Sequence, residues 1–173
     1  INNKTDLNRL LKRKPDLVFS GVKYFNFNSK KVWLNDCLEE YDIPYIASSR
    51  NALDNESDKN IAKKIILKAK IKTAAFFMTK PEQHQNELAL PLSFPLFIKP
   101  VKGGDSRGID TNSIVYDFSN FKKKVLEIKT KFNLSSLVET HLPGKEYSVG
   151  IFQDSIKGTL RAMPVEIVVK KNS

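Results

Sequence analysis

The stretch Phe97-Ile98-Lys99-Pro100-Val101-Lys102-Gly103-Gly104-Asp105-Ser106-Arg107-Gly108 runs from an apolar strand, which delivers one lysine, into a glycine-rich and partly basic loop. That combination suits a phosphate. Gly103, Gly104 and Gly108 let the backbone turn its N–H groups toward an anion, Ser106 adds a hydroxyl donor, and Lys99 is a fixed point charge at the strand end. Alone, the stretch fits an ordinary surface hairpin as well.

A second segment adds to it. Leu137-Val138-Glu139-Thr140-His141-Leu142-Pro143-Gly144-Lys145-Glu146-Tyr147-Ser148-Val149 reads as a strand ending in a glutamate, a Pro-Gly break, and a strand that begins with another glutamate. The two carboxylates can accept from a sugar hydroxyl or an amino-purine edge, and the backbone groups of Thr140 and Leu142 can read a base edge as one strand reads another. Phosphate chemistry at Lys99 and nucleoside chemistry from Glu139 to Glu146 make a nucleotide site.

These residues resemble the ATP-grasp ligases, D-alanine–D-alanine ligase and its relatives above all. Asp42-Ile43-Pro44-Tyr45-Ile46 resembles the family's Ile-Pro-Tyr turn, Asp58-Lys59 its Asp-Lys segment, and Ala162-Met163-Pro164-Val165-Glu166-Ile167 its proline-to-glutamate strand. The likeness covers most of the chain from Asp16 onward, in the family's order. It implies an α/β (α+β) protein, a partial ATP-grasp fold with the remnant of an N-terminal parallel α/β domain. Residues 1–56 would be that remnant, 57–140 the central nucleotide-binding domain, and 141–173 the start of the C-terminal domain, with ATP between two small sheets.

The resemblance also implies roles. Lys59 and Lys99 would contact the ATP phosphates, Lys99 lying near the adenine too. Gly103, Gly104, Ser106, Arg107 and Gly108 would form the flap over the phosphates. Glu139 would meet the adenine amino group, the backbone of Thr140 and Leu142 would complete the base contact, and Glu146 would take the ribose hydroxyls. The chemistry implied is phosphoryl transfer from ATP to a small amino-acid-like carboxylate, then attack by an amine; positioning and charge neutralisation do most of the work in such transfer. Catalytic residues are not assigned, magnesium ligands are expected outside this chain, and a homodimer is compatible with the family.

Three positions depart from the family pattern. Asp105 stands where the ligases commonly have serine or glycine, and Ser20-Gly21-Val22-Lys23-Tyr24-Phe25 replaces a His-Gly pair near the first substrate. His141 occupies a position that is often aromatic. Ile1 at the start and Ser173 just past the Glu166 strand suggest a fragment, incomplete for catalysis by itself. Two rivals remain: an ATP-grasp ligase for other amino acids or peptides, and a non-catalytic basic ATP-grasp-like module. Steeply salt-dependent nucleic-acid binding without ATP binding would mark the second.

Composition sets the frame. The 173 residues, 40% hydrophobic and 28% charged, suffice for a sizeable core. The single cysteine, Cys37, allows no intrachain disulfide, and among Val32, Trp33, Leu34, Leu38 and Tyr41 it reads as part of a buried helix face. No hydrophobic run is long enough for a membrane, so a cytoplasmic enzyme is expected, with no membrane partner. The net charge of +10 comes from lysines such as Lys63, Lys64 and Lys68 or Lys122, Lys123 and Lys124, read as solvated helix faces rather than a nucleic-acid surface.

The periodicity places these motifs on elements. Ser57 or Asp58 caps a helix with apolar positions Ile61, Ile65, Ile66 and Ala69, which puts Lys59 in its first turn. Residues 74–78 read as a buried strand, and Pro81 to Asn86 as a polar loop around His84. A second helix, capped by Asp117 or Ser119, carries Phe121, Val125 and Ile128. Strands follow from Leu137 and Glu146, and Asp154 to Gly158 reads as a hairpin turn leading into Thr159 to Val169.

Overall fold

The computed structural model describes residues 1–153 and 158–168. Contacts divide the chain into two compact units, Ile1–Thr140 and His141–Ser173.

The first unit opens with helix α1, Lys4–Lys12, whose N-cap Asn3 accepts from the Asp6 N–H and whose Leu7 is buried. Strand β1, Val18–Phe19, follows. Strands β2, Tyr24–Phe27, and β3, Lys30–Trp33, form an antiparallel hairpin. Its two-residue turn places Asn28 and Ser29 at φ 48° and 60°, the positive values that match the twist of paired strands. Helix α2, Leu34–Glu40, leads to β4, Tyr45–Ile46, which pairs in parallel with β1. Leu7, Phe25, Leu34, Cys37 and Leu38 close a small core. Cys37 is on a buried helix face as expected, but Val32 and Trp33 belong to β3 and Tyr41 is exposed. Burial, and then the charges of Glu40 and Asp36, push the Cys37 thiol up, so it is a poor nucleophile.

Helix α3, Arg50–Glu56, and helix α4, Lys59–Lys68, come next. Asp58 caps α4, its carboxylate accepting from the Asn60 and Ile61 N–H groups. Strands β5, Phe76–Thr79, β6, Leu96–Pro100, and β7, Ile114–Val115, precede helix α5, Phe118–Phe132, and strand β8, Ser136–Thr140. The four strands form one antiparallel sheet in the order β5-β8-β6-β7. Asp117 caps α5, and its Phe121, Val125 and Ile128 pack on Leu96, Ile98, Val115 and Val138. The two-residue strand period does the rest: with Ile98 and Val138 turned toward α5, Phe97, Lys99 and Glu139 stand on the other face of the sheet.

Two expectations need correction. Residues 74 and 75 lie outside β5, which is half-buried over Phe76–Met78 because only one of its faces meets the α5 core. The lysine runs are not wholly solvated either. Lys63 and Lys124 are buried at 7% and 2% exposure, while Ile61 and Ile65 are exposed. Each buried lysine ends on carboxylates. Lys124 Nζ donates to both Asp110 oxygens at 2.9 Å and to Glu127 at 3.3 Å. Lys63 ends at Glu139, so α4 turns Lys63 inward and its Ile61 and Ile65 edge outward.

The second unit contains strands β9, Glu146–Gln153, and β10, Leu160–Ile167, paired antiparallel with Glu146 opposite Ile167 and Gly150 opposite Met163. Lys145 and Glu166 form an ion pair at 3.1 Å. Gly158 lies just before β10 at φ 63°; the rest of the expected turn, residues 154–157, and Val169 lie outside the described residues. Among the described residues no helix is long and apolar enough to cross a membrane.

Candidate nucleotide-binding site

Three elements of the first unit converge on one carboxylate. β8 supplies Glu139, β6 supplies Lys99 from the neighbouring strand on the same face, and α4 supplies Lys63. Lys63 Nζ lies 2.6 Å from Glu139 Oε1, and Lys99 Nζ pairs with Oε2. Burial alone would push the Glu139 carboxyl up, but the hydrogen bonds from Lys63 and Lys99 more than offset it and hold it below the usual range. The carboxylate is therefore ionised and shared.

Lys59, one helical turn before Lys63, sits half-buried at the start of α4. Its pKa is lowered by burial and then by the charge of Lys99. An anion placed between these two ammonium groups would relieve their repulsion. Lys23, Lys59, Lys63, Lys99 and Lys102 against Glu56, Asp58 and Glu139 leave this region with a surplus of positive charge, which draws anions. The first N–H groups of α4 are not part of that field's donor set: the Lys59 N–H donates to the Val101 carbonyl, and the Asn60 and Ile61 N–H groups donate to the capping Asp58 carboxylate.

The glycine loop is fastened to the same helix start. The Lys59 N–H donates to the Val101 carbonyl at 2.9 Å, the Gly103 N–H donates to the Ser57 carbonyl at 3.4 Å, and Asp58 bridges Lys102 in antiparallel fashion. Lys59 Nζ donates to the Gly103 carbonyl at 2.5 Å. The 63%-exposed Lys102 side chain is 3.9 Å from Asp58, a pair worth little. Beyond Gly103 the chain turns with Asp105 and Ser106 at φ 55° and 54°.

Of the site residues read from the sequence, Lys59, Lys99, Glu139 and Gly103 are thus brought together. Arg107 lies over the Phe132 ring at 5.0 Å, and Gly108 packs on Pro100 and Phe132. Gly104 and Ser106 use their carbonyls within the loop, accepting from Arg107 and Ile109. The Thr140 N–H is taken within the sheet, donating to the Ala75 carbonyl at 3.0 Å where β8 continues to pair beyond the first residue of β5. Leu142 and Glu146 are exposed residues of the second unit. Lys145 pairs with Glu166 there. Lys63 was missed, although its position four residues after Lys59 puts both ammonium groups on one helix face. Among the described residues, no group of three or more His, Cys, Asp or Glu is gathered to hold a metal.

The antiparallel sheet with a helix on one face, and lysines on the other beside a glycine loop, is part of an ATP-grasp fold. The family model described as D-ala D-ala ligase C-terminus matches residues 61–173, and the chain belongs to this family. A D-alanine–D-alanine ligase of Pelagibacter ubique is 29% identical over 157 residues, 87% of this chain and 48% of the relative. One from Aquifex aeolicus is 31% identical over 166 residues, 94% of this chain and 52% of the relative. The chain thus spans about half the length of the curated relatives it matches. A crystal structure of the Bacillus anthracis D-alanine–D-alanine ligase complexed with ATP superposes with a TM-score of 0.59 at 23% identity, covering 97% of this chain and 58% of that one.

Proposed function

We propose that this chain is the nucleotide-handling part of an ATP-dependent carboxylate–amine ligase of the D-alanine–D-alanine type. The observation that carries this reading is the Lys59–Lys63–Lys99 cluster around Glu139, set against a glycine loop fastened to a helix start. A polyphosphate fits that donor set: ammonium groups beside a glycine-rich loop able to turn over it. In this reading Lys59 and Lys99 hold the phosphates, residues 103–108 cover them, Glu139 and Leu142 meet the adenine, and Glu146 meets the ribose.

The reaction would move the γ-phosphoryl of ATP to a carboxylate oxygen, releasing ADP. An amine would then attack the acyl carbon of that acylphosphate, forming the amide and releasing phosphate. Magnesium would add charge neutralisation, and its ligands belong outside the residues described. The proposal includes a remnant α/β domain over 1–56, a central domain over 57–140, a third beginning at 141, a cytoplasmic location and a homodimer.

The test is ADP release by the full-length protein with ATP, magnesium and D-alanine, read beside the ligated product by mass spectrometry. ADP formation that requires the amino acid is the expected result; no ADP with D-alanine, D-serine or L-alanine would overturn it. A finer test concerns Glu146. Glu146→Gln should weaken ATP binding about fivefold, 2′-deoxy-ATP should bind the wild type about as much less well, and combining the two changes should add little, since one hydrogen bond is removed twice. Equal binding of both nucleotides by both proteins would remove Glu146 from the site.

A further inference from the structure

We propose that Lys63 is a positioning residue of the nucleotide site, holding one oxygen of Glu139 so that the carboxylate cannot turn both oxygens onto Lys99 and silence its charge. The inference rests on the nucleotide reading above. Its basis is geometric. The Lys63 side chain is 9% exposed, its ammonium lies 2.6 Å from Glu139 Oε1 and 2.7 Å from Thr73 Oγ1, and it sits 5.0 Å from the centre of the Phe76 ring. Two of the ammonium's three hydrogens are directed at Glu139 and Thr73 inside the protein, and the Phe76 ring lies beside it. It is a built counter-ion, and its partner is the carboxylate that also holds Lys99.

Charge arithmetic gives the consequence. With Lys63 present, Glu139 divides itself between two ammonium groups, and Lys99 keeps part of its field for an incoming anion. Without Lys63 the carboxylate has Lys99 as its remaining ion-pair partner in this cluster, and the local charge falls by one. An ordinary buried salt bridge would affect stability alone. A positioning role affects phosphate recognition specifically.

The experiment is calorimetric titration of full-length wild type and Lys63→Met with ATP and with adenosine, from pH 5.5 to pH 8.5. At pH 8.5 Lys63→Met should bind ATP at least tenfold more weakly; adenosine, which meets Glu139 through its base but has no phosphate for Lys99 to hold, should bind less than threefold more weakly. Loss of Lys63 removes one of the two hydrogen bonds that hold the Glu139 carboxyl down, so Glu139 protonates at a higher pH in the variant. Protonation releases Lys99, and the ATP deficit relative to wild type should shrink as the pH falls. Lys63→Arg, which keeps the charge, should recover most of the affinity. Should Lys63→Met fail to fold, Lys63→Gln, which can still hydrogen-bond Thr73, carries the same expectation. Equal losses for ATP and adenosine, or no recovery of ATP affinity in Lys63→Arg, would overturn the positioning role while leaving the nucleotide reading intact. Absence of ATP binding by the wild type would overturn both.

Discussion

Lys99→Ala should weaken ATP binding about fifty-fold, roughly 2.3 kcal/mol, whereas Lys102→Ala should change it by less than about threefold. The two lysines are close in sequence and carry the same charge, so the difference must come from their surroundings. Lys99 leaves a sheet face with 20% of its side chain exposed, anchored by Glu139. A charge in such a place acts through a medium far less polarisable than water, where a pair at contact distance is worth up to about 4 kcal/mol before desolvation is subtracted. Lys102 stands 63% exposed in the loop and 3.9 Å from Asp58, where water and salt screen it. Calorimetric titration of the two variants decides the matter, and comparable losses would move the phosphate site away from β6.

Gly108→Ala should destabilise the fold by about 3 kcal/mol, the sum of a left-handed backbone and an overpacked contact. Gly108 has φ 77°, and a Cβ there would lie 2.6 Å from Pro100 Cγ and 2.8 Å from Phe132 Cε2. Pro100 and Phe132 are held by β6 and α5, so neither can yield cheaply. Gly104 offers the contrast: a Cβ would meet nothing within 4 Å, and Gly104→Ala should be neutral or stabilise slightly through the unfolded chain. Urea unfolding midpoints would show the gap, and equal midpoints would contradict the packing role of Gly108. In the sequence the glycines looked alike as makers of a phosphate loop; in the structure Gly108 is a packing residue.

That contrast shows what the sequence could carry. Helix α5 was legible because Phe121, Val125 and Ile128 repeat at helical spacing after the cap Asp117, and α4 because Asp58 precedes the apolar run. Lys99 and Glu139 were read from the sequence as phosphate and nucleoside residues of one site; their ion pair was not legible, because it depends on β6 and β8 being neighbours in a register that puts both side chains on one face. Lys63 and Lys124 were not legible as buried residues. A lysine on a helix reads as solvated until the distant carboxylate that receives it is known, here Glu139 for one and Asp110 for the other. That the Thr140 N–H is taken was not legible for the same reason, its acceptor being the Ala75 carbonyl before β5. The β2–β3 hairpin went unread because its turn, Asn28-Ser29, lacks the glycine that usually marks such a reversal.

If Lys59 holds a phosphate as proposed, its hydrogen bond to the Gly103 carbonyl would make ligand capture an exchange rather than a simple addition. A phosphate that recruits this ammonium must compete with the loop's own carbonyl, and its arrival unfastens one of the ties between loop and helix while the Gly103 N–H to Ser57 bond can persist. The loop would then pivot about the Gly103–Ser57 bond instead of detaching. Measured affinity is a difference between two occupied states, so chemistry at one amine and the freedom of a whole loop are thermodynamically linked.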